Sequence, residues 1–333
     1  MRHWVSIVCL FVLAVPGWAQ FDGWGPEQII KYTPAWTGER FADGRPKVPD
    51  SLIQRLKDVQ ITSEEAAWGP LRIIHRYEHQ WEGGWKILNR NKRLIGRAFT
   101  CRFMPGRLEV AKVIEDEARA KGLSQHNVRV MDLLQPGDVI VADMAGGRVR
   151  DGVFVGDNLA VAIYSRTGNG FVVHGGIRDR EGIEPHGFPL YYRGEWPGVF
   201  GDLMLTGINV PIQVGEVTVM PGDVVAGDSE GLTFIPPHTV EDIVDNAELY
   251  DAIDEWRKEK FISSGGAIKP SDLYGRIGMR DAAMQRECEA FVRNRLREKG
   301  LKPPEERRTW KERGYSGSGC FDRRSAGPVG EKK

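Results

Sequence analysis

Hydrophobic and polar positions along this chain fall into two periods. LIGRAFTCRFM, residues 94–104, has the dense apolar pattern of a strand. EVAKVIEDEARAKGL, residues 109–123, repeats apolar positions every three to four residues and closes on Gly122, which predicts an amphipathic helix with a glycine stop. Gly137–Asp143 reads as a turn feeding a buried strand, and FVVHGG, residues 171–176, as another. A dense run of short β segments follows at residues 209–235: VPIQV, VTVM, DVVAGD and LTFIP. Pro-His-Thr-Val-Glu-Asp then opens a long helix over about 239–263, closed by Gly265 and Gly266. DAAMQRECEAFVRNRLREKG, residues 281–300, predicts a second helix near the C-terminus. Before the strands, LIQRLKDV predicts a helix capped by Asp50 or Ser51, and residues 61–66 suggest a further capped helix.

The mixture predicts an α/β protein with one main body over residues 91–265. Residues 20–90 form an N-terminal arm with helices, in which 20–50 is rich in Trp, Gly and Pro and shows no period. Residues 266–333 form a helical extension and a polar, Gly/Ser-rich tail. Residues 1–19 carry a short basic start, an apolar run over 4–15 and small residues at Gly17 and Ala19. This reads as a cleaved secretory signal, so the protein is expected to be exported, periplasmic or secreted. An uncleaved anchor is the alternative reading.

Composition narrows the partners. Lys and Arg total 46, as do Asp and Glu, so the 333 residues carry no net charge and no global field that favours nucleic acid. Cys101, Cys288 and Cys320 are too widely spaced for a zinc site or a disulfide framework. Cys101 is expected to be a buried thiol, and the other two could pair. His174, His186 and His238 lack zinc-ligand spacing, no Gly-x-Ser-x-Gly elbow is present, and GDSEGLT is not a phosphate loop.

Two stretches carry candidate chemistry. Gly156-Asp157-Asn158-Leu159-Ala160 reads as a helix N-terminus with Asp157 as cap, whose free N–H groups could receive an anion. Gly175-Gly176-Ile177-Arg178-Asp179 follows the FVVHGG strand. In an α/β layout both stretches would lie at one end of neighbouring strands. Arg178 could take a carboxylate or enolate oxygen, Asp179 could hold a hard divalent cation, and Gly175 and Gly176 would let the backbone approach closely. A structural ion pair reads the same local pattern. Pro136–Asp143 and Pro221–Asp228 also echo one another as Pro-Gly turn, strand and terminal aspartate, suggesting two similar corners of one β-rich core.

The ordered set of GDNLA at 156–160, GGIRD at 175–179 and GDVVAGDSEGL at 222–232 with Ile235-Pro236 resembles one family. It is that of the regulator of ribonuclease activity A and the class II 4-hydroxy-4-methyl-2-oxoglutarate aldolases, often labelled dimethylmenaquinone methyltransferase-like. The resemblance covers roughly residues 90–265. It implies a β/β/α core of the swivelling phosphohistidine-domain type, assembled as trimers or hexamers with active sites between subunits. It also implies that Gly156, Asp157, Asn158 and Leu159 bind a pyruvyl carboxylate, that Arg178 contacts the substrate, and that Asp179 ligates Mg²⁺ or Mn²⁺. An acid from the long helix of the next subunit would reach the site; Glu255 is the best match, with Glu248 and Asp254 close in register.

The expected activity is a divalent-metal-dependent lyase that cleaves a C–C bond of a small 2-oxo acid through a pyruvate enolate. Such an enzyme would act as a 4-hydroxy-4-methyl-2-oxoglutarate aldolase, an oxaloacetate decarboxylase, or both. Asp157 would hold the water that shuttles the proton. The competing expectation is a non-catalytic trimeric binding protein of the ribonuclease-regulator type; another is a lyase for a sugar acid or other hydroxy acid. No nucleic acid and no stable membrane span after signal cleavage are expected.

Overall fold

The computed structural model describes residues 23–59, 67–124, 126–199, 201–274, 281–307 and 320. Both the signal segment and the helix expected at 61–66 lie outside the described residues. Among the described residues, a ten-stranded sheet forms the body, and its central strands are β3 (Leu94–Pro105), β4 (Asp138–Met144), β6 (Phe171–Ile177) and β7 (Leu190–Glu195), all mutually parallel. The apolar run of 94–104 thus becomes one long strand. β4 is buried along its whole length, as a strand covered on both faces must be.

The remaining strands close the edges. β11 (Val224–Gly227) pairs antiparallel with β3 and with β12 (Leu232–Ile235), while β8 (Leu203–Ile208) continues the other end of β3. β5 (Val153–Val155) lies parallel beside the end of β6. β1 (Trp81–Glu82) pairs with β12 and β2 (Lys86–Leu88) with β7, so the stretch expected as arm over 81–88 is part of the sheet. β9 (Ile212–Val214) and β10 (Val217–Val219) make a separate hairpin. The two Pro-Gly-Asp corners are realised alike. Gly137 and Gly222 both take left-handed backbone, at φ 86° and 87°. Asp138 accepts the Gln135 N–H at 2.9 Å and Asp223 the Met220 N–H at 2.8 Å.

Helices cover the sheet according to its alternation. On one face, Phe99, Cys101 and Phe103 of β3 meet α4 (His126–Asp132) and α5 (Asp157–Thr167) through Val130, Met131, Ala160 and Ile163. Ile163 is fully buried there, so truncation to Ala would cost roughly 2–5 kcal/mol. Residues of the opposite parity, Ala98, Val139, Val141 and Val172, meet the β9–β10 hairpin. The amphipathic helix α3 (Leu108–Ala120) follows β3 and stops before Gly122, at φ 67°.

α2 (Asp50–Asp58) starts without a side-chain cap, Pro49 taking the cap position; Asp50 accepts from Arg97 instead. It packs with α7 (Val240–Ser263), the predicted long helix, over Ile53, Leu56, Ile243 and Val244. α8 (Ala282–Glu298) packs on the far half of α7 through Ile253, Trp256, Cys288 and Val292. Cys288 and Cys320 are joined as a disulfide, their Cα atoms 6.0 Å apart, and Cys101 is a buried thiol pushed well up by burial. The arm is anchored by Arg45, fully buried and paired with Asp138 at 2.8 Å. Among the described residues no helix is long and apolar enough to cross a membrane.

Candidate active site

β5 and β6 run side by side with Val155 opposite Ile177, so the residues that follow each strand emerge together. Gly156 follows β5 and Arg178 follows β6; the Arg178 N–H donates to the Val155 carbonyl at 3.1 Å, holding the two exits in register. The chain therefore brings Gly156 against the Arg178–Asp179 pair. A Cβ on Gly156 would stand 2.5 Å from Asp179 Oδ2 and 3.0 Å from Arg178 Nε, so only glycine leaves those two side chains where they are. Its backbone, at φ −103° and ψ −169°, is open to any residue. The constraint on this glycine is space.

Gly156 is the cap residue of α5. The expected capping aspartate, Asp157, is instead its first helical residue. Asp157 Oδ1 accepts the Asn158 N–H at 2.7 Å, so one of the N–H groups expected to be free is already engaged. The Asp157 side chain rests on Gly182, where a Cβ would meet its Cβ and Oδ2 at 2.8 Å. Gly182 belongs to the short helix α6 (Arg180–Ile183), which begins immediately after Asp179. Nothing in the sequence pairs Gly182 with Asp157, 25 positions upstream; only the packing of α5 and α6 at the ends of their strands does.

Arg178 and Asp179 meet at 3.2 Å between Nε and Oδ2, with side chains 38 % and 49 % exposed. An ion pair this open is worth at most about 1 kcal/mol. Asp179 also holds a left-handed backbone, φ 55° and ψ 40°, a conformation that costs a non-glycine residue roughly 1 kcal/mol or more. The pair thus gives little net stability, which weighs against a purely structural reading. Gly175 and Gly176 serve differently from expectation. Their missing Cβ atoms make room for Met144 Cβ at 2.5 Å and for the Val149 carbonyl at 2.8 Å, so they seat neighbouring strand and loop rather than open the site.

Glu255 does not join this group within the chain. It lies on α7 and is held by Arg295 of α8 through contacts of 2.6 and 2.9 Å. Glu248 is also committed: it is buried between Arg55 and Arg307, each at 2.7 Å. Burial alone pushes the Glu248 carboxyl up, but the hydrogen bonds from Arg55 and Arg307 outweigh it and hold the group below its ordinary range. Asp254 contacts Arg257 at 3.2 Å.

The donor set suits a hard divalent cation of modest protein ligation. Gly156 leaves a space beside Asp179 Oδ2 that a Cβ would fill. Among the described residues no group of three or more His, Cys, Asp or Glu gathers to cage a metal. A cation that keeps several waters and takes one or two carboxylates, as Mg²⁺ does, needs no such group.

Comparison with known proteins identifies the family. Residues 62–234 match the RraA-like family, described as Aldolase/RraA. A Halalkalibacterium halodurans protein provisionally named a 4-hydroxy-4-methyl-2-oxoglutarate aldolase is 31 % identical over 185 residues, 55 % of this chain and 79 % of its own length. A Thermus thermophilus protein named 4-hydroxy-4-methyl-2-oxoglutarate aldolase is 29 % identical over 131 residues, 39 % of this chain and 74 % of its own. Among solved structures, Streptomyces coelicolor RraAS2, described as an unusual member of the RNase ES inhibitor RraA protein family, superposes with a TM-score of 0.53 at 25 % identity. The match covers 65 % of this chain and all of that one.

Proposed function

From the premise that the chain belongs to the RraA-like family, Aldolase/RraA, we propose that it is a divalent-metal-dependent lyase for a small 2-oxo acid. The reaction is retro-aldol cleavage of a 4-hydroxy-4-methyl-2-oxoglutarate type substrate, or decarboxylation of oxaloacetate. In both, the electrons of the breaking C–C bond pass into the 2-oxo group to give a pyruvate enolate that is then protonated. The observation that carries the reading is the close seating of Gly156 on the Arg178–Asp179 pair.

Asp179 would hold Mg²⁺ or Mn²⁺, which when bound supplies Lewis acidity toward the 2-oxo group. Arg178 donates to the oxygen that gains charge as the bond breaks, where a fixed donor is worth more than water. The first turn of α5 takes the substrate carboxylate. The N–H of Leu159 serves directly, and that of Asn158 serves once Asp157 Oδ1 releases it. A released Asp157 carboxylate is then placed to relay the proton. The site is completed by a neighbouring copy in a trimer or hexamer. If Glu255 is the residue lent to the neighbour, it must first give up Arg295. Export through residues 1–19 belongs to the same reading.

The test is pyruvate release from oxaloacetate and from 4-hydroxy-4-methyl-2-oxoglutarate, with Mg²⁺, Mn²⁺ or EDTA. Asp179→Ala should abolish release while the protein remains folded; unchanged release would sink the assignment. The likeness to RraAS2 favours a second reading, a binding or regulatory protein without turnover. That reading needs neither the metal nor Asp179, so a folded oligomer without release from either substrate supports it.

A further inference from the structure

Arg102 of β3, Asp143 of β4 and His174 of β6 stand side by side in register across three adjacent parallel strands. Successive residues of a strand face opposite sides, and all three share the face of Val141 and Val172. They line a cleft of about 670 Å³ between the sheet and the β9–β10 hairpin. Its other walls are Phe103, Met104, Pro105, Pro211 and Ile212, with Gln213 and Thr218 at the hairpin. None of Gly156, Asp157, Arg178 or Asp179 lines this cleft.

The polar row is only half satisfied. Asp143 Oδ1 accepts the Gly146 N–H at 2.9 Å and lies 3.3 Å from His174 Nδ1, both side chains being more than nine-tenths buried. A carboxylate oxygen can only accept from Nδ1–H, so a neutral imidazole held this way presents Nε2 as an acceptor. Gly147, left-handed at φ 90°, passes so close that a Cβ would meet Nε2 at 2.7 Å, so a side chain there would cover the nitrogen. Arg102 is one strand from Asp143 yet makes no ion pair with it. Its Nε is buried without a partner, and no anion answers the guanidinium among the described residues.

We infer that this cleft is a second binding site, for an organic monocarboxylate with an apolar body and a hydroxyl at the far end. Arg102 takes the carboxylate, His174 Nε2 accepts from the hydroxyl, and the Met104, Pro211 and Ile212 walls take the body. A single unpaired cation matches a monoanion. A phosphate dianion would bring excess charge next to the Asp143 carboxylate. Two strand spacings, roughly 9–10 Å, separate the backbones of Arg102 and His174, so the two polar ends of the ligand must lie well apart.

The probe is 4-hydroxyphenylacetate, titrated calorimetrically into the full chain, with phenylacetate, 4-hydroxyphenylacetamide and inorganic phosphate as comparisons. Binding should weaken roughly tenfold or more when the carboxylate becomes an amide, and several-fold when the hydroxyl is removed. It should weaken similarly in Arg102→Gln and be unchanged in Asp179→Ala. Absence of binding, equal binding of the amide, tighter binding of phosphate, or loss of binding in Asp179→Ala would each overturn the inference. The ligand comparisons use the unaltered protein, so they decide the matter even if Arg102→Gln fails to fold.

Discussion

Replacing Gly156 with Ala tests the reasoning at its narrowest point. Its backbone already sits in a region any residue adopts, so the change adds one methyl group and no dihedral strain. That methyl would lie 2.5 Å from Asp179 Oδ2, whereas even close carbon–oxygen contacts sit at about 3.3 Å. The carboxylate must therefore move by roughly 0.8 Å, and Arg178 Nε, at 3.0 Å, must give way with it. Both are ends of flexible, half-exposed side chains, so they yield easily. The fold should lose only about 1 kcal/mol, mostly because Ala is a poor cap residue.

Activity should suffer far more, since displacement of a reacting group by about 1 Å costs up to roughly 10²-fold in rate. We expect pyruvate release to fall about 30- to 100-fold, or roughly 2–3 kcal/mol of transition-state stabilisation, with a nearly unchanged melting temperature. Gly168→Ala, at the other end of the same helix, is the matched control. Gly168 is left-handed at φ 69° with nothing near its missing Cβ. Its substitution should cost about 1 kcal/mol of stability and leave the rate alone. Full activity in Gly156→Ala would refute the argument that this glycine keeps Arg178 and Asp179 in place.

Other consequences concern stability. Asp223 is buried with one N–H donor, and burial pushes its carboxyl up to about 8 from 3.8. The native state then holds a proton the unfolded chain has lost, so stability should fall as pH rises from about 4 to 8. Asp223→Asn should flatten that slope in melts across this range, by at most roughly 5–6 kcal/mol. Glu248 has the opposite sign: held low by Arg55 and Arg307, it contributes fully above about pH 4.5 and loses its contribution as pH falls through its lowered folded value. Glu248→Ala should cost about 3 kcal/mol at neutral pH in denaturant melts, with a smaller penalty at pH 3. Cys320→Ser, which opens the link to Cys288 across 32 positions, should cost about 3 kcal/mol and be matched by reducing the parent protein.

Several features were legible in the sequence because local chemistry specifies them. The apolar periods marked β3, β4, β6, α7 and α8, and glycines marked the stops after α3 and α7. The two Pro-Gly-Asp corners announced themselves because a left-handed glycine and an aspartate that accepts a nearby N–H form one short-range unit. The strands β1 and β2 were hidden, since two or three residues carry no measurable alternation and only β12 and β7 make them strands. The cap of α2 was misread because Asp50 answers Arg97, 47 positions away, instead of its own helix.

The candidate site divides along the same line. Sequence by itself determined which residue types follow β5 and β6, and so offered Gly156, Asp157, Arg178 and Asp179 as chemistry, because each motif lies within a few consecutive residues. Only the tertiary structure decided that these motifs touch, since Val155 opposite Ile177 is a register between strands that no local pattern contains. Distant partners alone also tied Glu255 to Arg295, turned Gly175 and Gly176 toward Met144 and Val149, and aligned Arg102, Asp143 and His174 in one row. A residue's type and neighbours in the chain set what it can do, and the packing of strands far apart in sequence sets what it meets.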